Sequence, residues 1–172
     1  MTNSSTHTSA TSKGSASSSK KTAPLDAIAL LKTDHDAVEK MFGDYEKARS
    51  KSVKKTLVND ICTALTVHTQ IEEELFYPAV QMALKDKMVI PEAIVEHEGI
   101  KELIAQIQGI EPDGDMFDAK VMVLSEYVSH HVKEEQTDMF PKAKASSVDM
   151  AALGEQMAAR KQELMAQALV TS

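Results

Sequence analysis

Two segments of this chain repeat one spacing. HTQIEEELFYP (His68 to Pro78) and HVKEEQTDMFP (His131 to Pro141) each carry a histidine, a glutamate four residues on and a proline six residues beyond the glutamate. Residues four apart share one face of a helix. Here that face is apolar, because Val58, Ile61 and Leu65 lead into His68 and Glu72, and Phe117, Val121, Leu124 and Val128 lead into His131 and Glu135. Driving an imidazole and a carboxylate into a helix's buried stripe costs several kcal/mol unless something compensates them there. The chain must therefore fold so that at least two helices converge on one polar interior.

Two further helices bring the same signal. The segment from Pro24 spaces Ile28, Leu31, His35, Val38, Phe42 and Tyr45 at alternating three- and four-residue steps, the seam of a bundle helix. A third helix is expected from about Pro91, with Ile94, His97, Lys101 and Ile104 on its seam, ending at the turn signal EPDGD (Glu111 to Asp115). The second helix is read over roughly Ser52 to Leu84, its stripe continuing through Leu75, Ala79 and Met82, and the fourth runs on to Met139. Short connections between four such helices predict an all-α, up-down-up-down four-helix bundle. An amphipathic stretch from about Val148 to Ala168 adds a C-terminal helix without histidine. The domain reading is a disordered Ser/Thr/Lys-rich tail over residues 1–23, which includes His7, a metal-binding bundle over 24–145, and the C-terminal helix over 146–172.

Composition narrows the function. A net charge of -7 makes a nucleic-acid partner unexpected outside the basic tail. A single cysteine, Cys62, fits a reducing compartment, and neither a membrane-spanning run nor a hydrophobic signal core is present. The Ser-rich, acid-poor tail has the flavour of a transit peptide, but it lacks arginine and amphipathic pattern. A cytoplasmic location is expected, with no membrane partner.

The candidate ligands are then His35, His68, His97 and His131, with Glu72 and Glu135. If the two carboxylates bridge two metal ions, each ion receives two nitrogens and two oxygens, and a solvent-derived oxo or hydroxo bridge leaves room for one exogenous ligand. Imidazole with carboxylate suits iron, zinc or manganese, and the lack of thiolate argues against soft-metal sites. Di-iron bundles of the ferritin type put glutamate first in Glu-x-x-His and are richer in carboxylate. The reversed order and nitrogen excess here favour two iron ions and reversible binding of a small ligand over mineralisation. A lone seam histidine is more often a hydrogen-bonded core residue than a ligand. Four of them with two glutamates, one set per helix, reverse that preference.

The pattern His, His-x-x-x-Glu, His, His-x-x-x-Glu resembles the hemerythrin-like family, the HHE cation-binding domain. The resemblance covers about Leu25 to Ala145 and is closest in YVSHHVKEEQTDMFP (Tyr127 to Pro141) and VEHEGIKELI (Val95 to Ile104); LGEQMAARKQEL (Leu153 to Leu164) looks like the segment that trails the domain in many bacterial members. It implies a non-haem di-iron centre bridged by two carboxylates. Oxygen-carrying hemerythrins have two histidines four apart on the third helix, where this chain has His97 and Lys101. The sequence thus looks more like the four-histidine, two-glutamate branch, which includes iron-sulfur repair, nitric-oxide-handling and sensor proteins. The expected ligand is O2, NO or peroxide. The alternatives are turnover of peroxide or NO, iron supply for cluster repair, or an iron or oxygen sensor.

Other residues receive plainer readings. His130 with Glu134 has the same spacing as a ligand pair but misses the proline register and is read as surface. Glu73, Glu74 and Glu134 are read as solvated or as supporting a ligand imidazole. Tyr45 and Tyr127 are read as packing, Lys101 as reaching the rim, Met41, Met82 and Met139 as core filler, and Cys62 as without chemistry.

Overall fold

The computed structural model describes residues 26–85 and 87–171 together with Met1. The tail read over residues 1–23, His7 with it, lies outside the described residues apart from Met1. Every regular element among the described residues is helical. Helix α1 spans Ala27–Lys47, and its Asp26 cap accepts from the Ala29 N–H at 2.8 Å, satisfying one of the donors that a helix start leaves unpaired. Helix α2, residues 51–81, is α-helical over Lys51–Ile71, widens into a π-helical turn at Glu72–Phe76 and resumes over Tyr77–Gln81. Helix α3 is Val89–Gln108. Helix α4, residues 115–144, repeats the pattern of α2 with Asp115–Glu134, a π turn at Glu135–Met139 and Phe140–Lys144. Helix α5 is Met150–Thr171.

The first four helices form an up-down-up-down bundle in which α1 packs on α2 and α4, and α3 on the same two; α5 lies across α1 and α2. The matched prolines explain the matched π turns. A proline inside an α-helix collides with the carbonyl four residues back. In the wide turn just before Pro78, Tyr77 N–H instead reaches the Glu72 carbonyl five residues back, and Phe140 N–H reaches Glu135 in the same way before Pro141. Neither helix ends at its proline.

Each π turn adds a residue, so the apolar stripe slips by one position beyond it. On α2 the buried residues become Phe76, Tyr77 and Val80, while Met82, expected in the core, is 87% exposed. The seam of α3 also differs from the sequence reading. It runs through Ile90, Ala93, His97, Ile100, Ile104 and Ile107, leaving Ile94 and Lys101 exposed. His97 belongs to both stripes, and the bundle axis lies on the side of Ala93 and Ile100.

The core is divided. One apolar cluster, which includes Leu31, Ile71, Phe76, Val80, Ile90, Phe140 and Met157, lies beneath α5. A second, with Val38, Phe42, Ile61, Leu65, Ile100, Ile104, Leu124 and Val128, fills the other end. The histidines and glutamates form the layer between them.

Candidate metal centre

All six side chains singled out by the sequence meet in this layer, and all are buried. The α1 and α2 helices bring His35 and His68 together, their Nε2 atoms 3.1 Å apart. Across the layer, α3 and α4 bring His97 and His131 to an Nε2 separation of 3.0 Å. The carboxylates lie between the two pairs. Glu72 Oε2 is 3.3 Å from Nε2 of both His68 and His97, and Glu135 Oε2 is 3.2 Å from His35 Nε2 and 3.6 Å from His131 Nε2. Each glutamate thus touches one histidine of each pair. Two groupings able to hold a metal ion result: His35, His68, Glu72 and Glu135, and Glu72, His97 and His131.

The outer ring nitrogens fix the tautomers. Nδ1 of His131 donates to Glu96 at 2.7 Å, Nδ1 of His97 to Glu73 at 2.8 Å, and Asp34 lies 3.5 Å from Nδ1 of His68. The Gln136 amide lies 3.3 Å from Nδ1 of His35. An imidazole that donates from Nδ1 presents a lone pair at Nε2. Two such lone pairs at 3.0 Å repel unless a proton or a metal cation lies between them. Nitrogens at right angles on one ion, each about 2.0–2.1 Å from it, stand about 2.9 Å apart. Among the described residues, Glu72 Oε1 and Glu135 Oε2 are buried side-chain oxygens with no hydrogen-bond partner. The donor set therefore fits metal ions, with carboxylates behind three of its imidazoles.

The ionisation pattern has the same origin. Burial, then the neighbouring Glu135 charge, pushes the Glu72 carboxyl well above its ordinary value. Burial, then the charge of His131, pulls His97 down to about 4, which keeps it neutral. Burial acts in the same sense on His131, but its hydrogen bond to Glu96 and the Glu135 charge outweigh it and raise that imidazole. Burial would likewise raise Asp34 and Glu73. Asp34 is held low by His68 and Lys161, and Glu73 by Lys101 and His97. Lys101 is therefore the outer end of a Lys101–Glu73–His97 chain, its Nζ 2.6 Å from Glu73. Lys161 of α5 pairs with Asp34 behind His68 in the same way, and Arg160 holds Glu74 at 2.7 Å.

Tyr77 was not legible as a site residue. Its hydroxyl donates to Glu135 Oε1 at 3.1 Å and lies 3.2 Å from His97 Nε2 and 3.5 Å from Glu72 Oε2. Burial, then the two glutamate charges, raises this phenol well above 10 and keeps its proton on. Asp34, Glu96, Gln136 and Phe140, which stacks on His35 with ring centroids 5.8 Å apart, were also not singled out. Tyr45 and Tyr127 are remote from the layer. Tyr45 bonds Asp118, and Tyr127 is 50% exposed against Gly99. His130 lies outside with Glu96 and Glu134 in a third, exposed grouping. Cys62 is buried in the second apolar cluster, its thiol pushed up to about 11 by burial.

A model of the hemerythrin HHE cation binding domain matches residues 26–143. The chain belongs to this family. A solved structure of a hemerythrin HHE cation binding domain-containing protein from Mycobacterium kansasii superposes with a TM-score of 0.72 at 24% identity, over 85% of this chain and 91% of that one. That likeness shows the shared fold. A DNA nickase from Nostoc sp. (strain PCC 7120 / SAG 25.82 / UTEX 2576) is 27% identical over 111 residues. The match takes in 64% of this chain and 31% of the nickase, so the HHE domain corresponds to less than a third of that relative. None of the described helices is long and apolar enough to cross a membrane.

Proposed function

We propose that this HHE domain holds two iron ions, with His35 and His68 on one, His97 and His131 on the other and Glu72 and Glu135 bridging, and that the pair binds a small ligand such as O2, NO or peroxide. The observation that carries the small-ligand reading is a cavity of about 10 Å³ against the layer. Its polar wall is His35, His68, His131, Asp34 and Thr69, and the rest is Val38, Leu65, Ile100, Val128 and Val132. A volume of that order is close to the least that holds a single water, so only the smallest ligands are compatible with it. The iron pair would supply an open coordination position and a reversible change of oxidation state.

The surrounding residues prepare that position. Asp34, Glu73 and Glu96 hold the Nδ1 protons outward, so that three Nε2 lone pairs face inward. The valine and isoleucine wall excludes bulk water and larger molecules. Tyr77 keeps its proton and directs it at Glu135 Oε1, fixing that carboxylate. The free, buried Cys62 supports a reducing compartment, and the cytoplasm is the location we assign on that reading.

The test is ligand titration of iron-loaded protein followed by absorption. Adducts with NO or hydrogen peroxide, and none with tert-butyl hydroperoxide, are expected. Equal binding of the bulky hydroperoxide contradicts the small-cavity reading, and steady consumption of the small one selects turnover over storage.

A further inference from the structure

The 10 Å³ cavity is enclosed by the bundle, so a ligand must have a way in. A cleft of about 510 Å³ opens on the surface between α1 and α4. Its rim is polar, with Glu39 and Lys133, and Phe42, Val128 and Val132 line it more deeply together with His35. Three of these residues, His35, Val128 and Val132, also line the inner cavity. Cleft and cavity are therefore separated by a partition one side chain thick. We propose that this cleft is the entry route for a neutral one- or two-atom ligand, with Val128 and Val132 as the size-limiting partition.

Four features support the assignment, which rests on the small-ligand reading above. Valine in a helix is confined almost to one rotamer, so the partition does not swing open as a longer side chain would, and it passes only thin molecules. Val128 is 7% exposed and Val132 only partly buried, which puts the partition at the floor of the cleft and not deep in the core. The alternative opening, a cavity of about 270 Å³ that touches Glu135, is lined by Glu92, Glu96, Glu134 and Asp138. Val89, Ala93 and Met139 line it too, but it shares no lining residue with the inner cavity. Gln136 lines the cleft and lies 3.3 Å from His35 Nδ1, so the one polar member of the partition is held from the cleft side.

The route is tested without iron by dissolved-oxygen relaxation of methyl groups, on full-length protein grown in iron-depleted, zinc-supplemented medium. Methyls of Val38, Leu65 and Ile100 should relax severalfold faster than those of the similarly buried Val67 and Ile90 in the other apolar cluster. Val132→Phe should abolish the difference, and Val132→Leu serves where the larger residue prevents folding. Equal rates in the two clusters, or a difference that survives both substitutions, overturns the route. On iron-loaded protein, V132F should slow NO association by about tenfold or more, and Val132→Ala should speed it, at unchanged iron per chain. Fast inner methyls in a chain that takes up no iron would overturn the metal reading and keep the route. Iron binding with unaltered NO kinetics in V132F would do the reverse.

Discussion

Tyr77 shows what a single residue contributes that spacing alone does not reveal. At 100° per residue it stands about 140° around α2 from Glu72, off any stripe containing that glutamate. Only the π turn brings its hydroxyl onto both carboxylates. Tyr77→Phe keeps the ring and leaves Glu135 Oε1 without its donor, an expected loss of about 1–3 kcal/mol in metal-free protein by denaturant unfolding. An unchanged midpoint contradicts the assigned hydrogen bond. Glu96 was equally hidden, because a carboxylate on α3 pairs with a histidine on α4 and no local spacing links them. Glu96→Gln should weaken metal binding by about 10- to 100-fold, as loss of a carboxylate behind a ligand imidazole typically does. Competition with a chelator measures it, and wild-type affinity would mean that Glu96 is merely a surface partner of His130. The six inner residues were legible because each histidine and glutamate interrupts an apolar stripe on its own helix.

At the scale of elements, the bundle was legible from hydrophobic period and the π turns were not. The prolines signalled a disturbance in both helices without saying which kind. The slip they conceal misplaced Met82 and missed Phe76, Tyr77 and Phe140. On α3 the error had a different source. Isoleucines or alanine flank His97 at three and four residues in both directions except at Lys101, so period alone set the stripe's phase poorly. A π turn is an α turn with one residue inserted, which predicts an asymmetry between deletions. Removing Leu75 from the Glu72–Phe76 turn should let the helix return to α spacing with Tyr77 still facing Glu72, leaving the clash at Pro78 as its main cost. Removing Thr66 from the regular stretch rotates His68 and Glu72 by about 100° away from their partners. Thermal melts should show the Thr66 deletion far more damaging; equal losses would contradict the π-turn account.

For the whole molecule, the polar layer separates two apolar clusters, and on the proposed reading it ties the bundle's stability to metal. Six buried ligating groups without a cation are costly, so ligation free energy is also folding free energy. At free metal 100-fold above its Kd, about 2.7 kcal/mol of stability is gained, a shift of roughly 5–10 °C in Tm for a chain of this size. The shift should shrink as pH falls. Glu72 and His131, both raised, must shed protons to ligate, and each holds its proton more firmly at lower pH. A shift that grows on acidification contradicts the assignment of these two as ligands. The fifth helix joins this layer through Lys161 on Asp34 and Arg160 on Glu74. Its amphipathic pattern predicted a helix, but nothing in it named these partners, which lie 127 and 86 residues away in sequence.

The most direct test of the metal centre is elemental analysis of metal per chain after growth in iron-supplemented medium, on wild type and on His68→Ala and His131→Ala. The account predicts two irons per wild-type chain, with each substitution reducing the content by half or more. A wild-type chain that folds with no metal, or variants that retain the full complement, would contradict it.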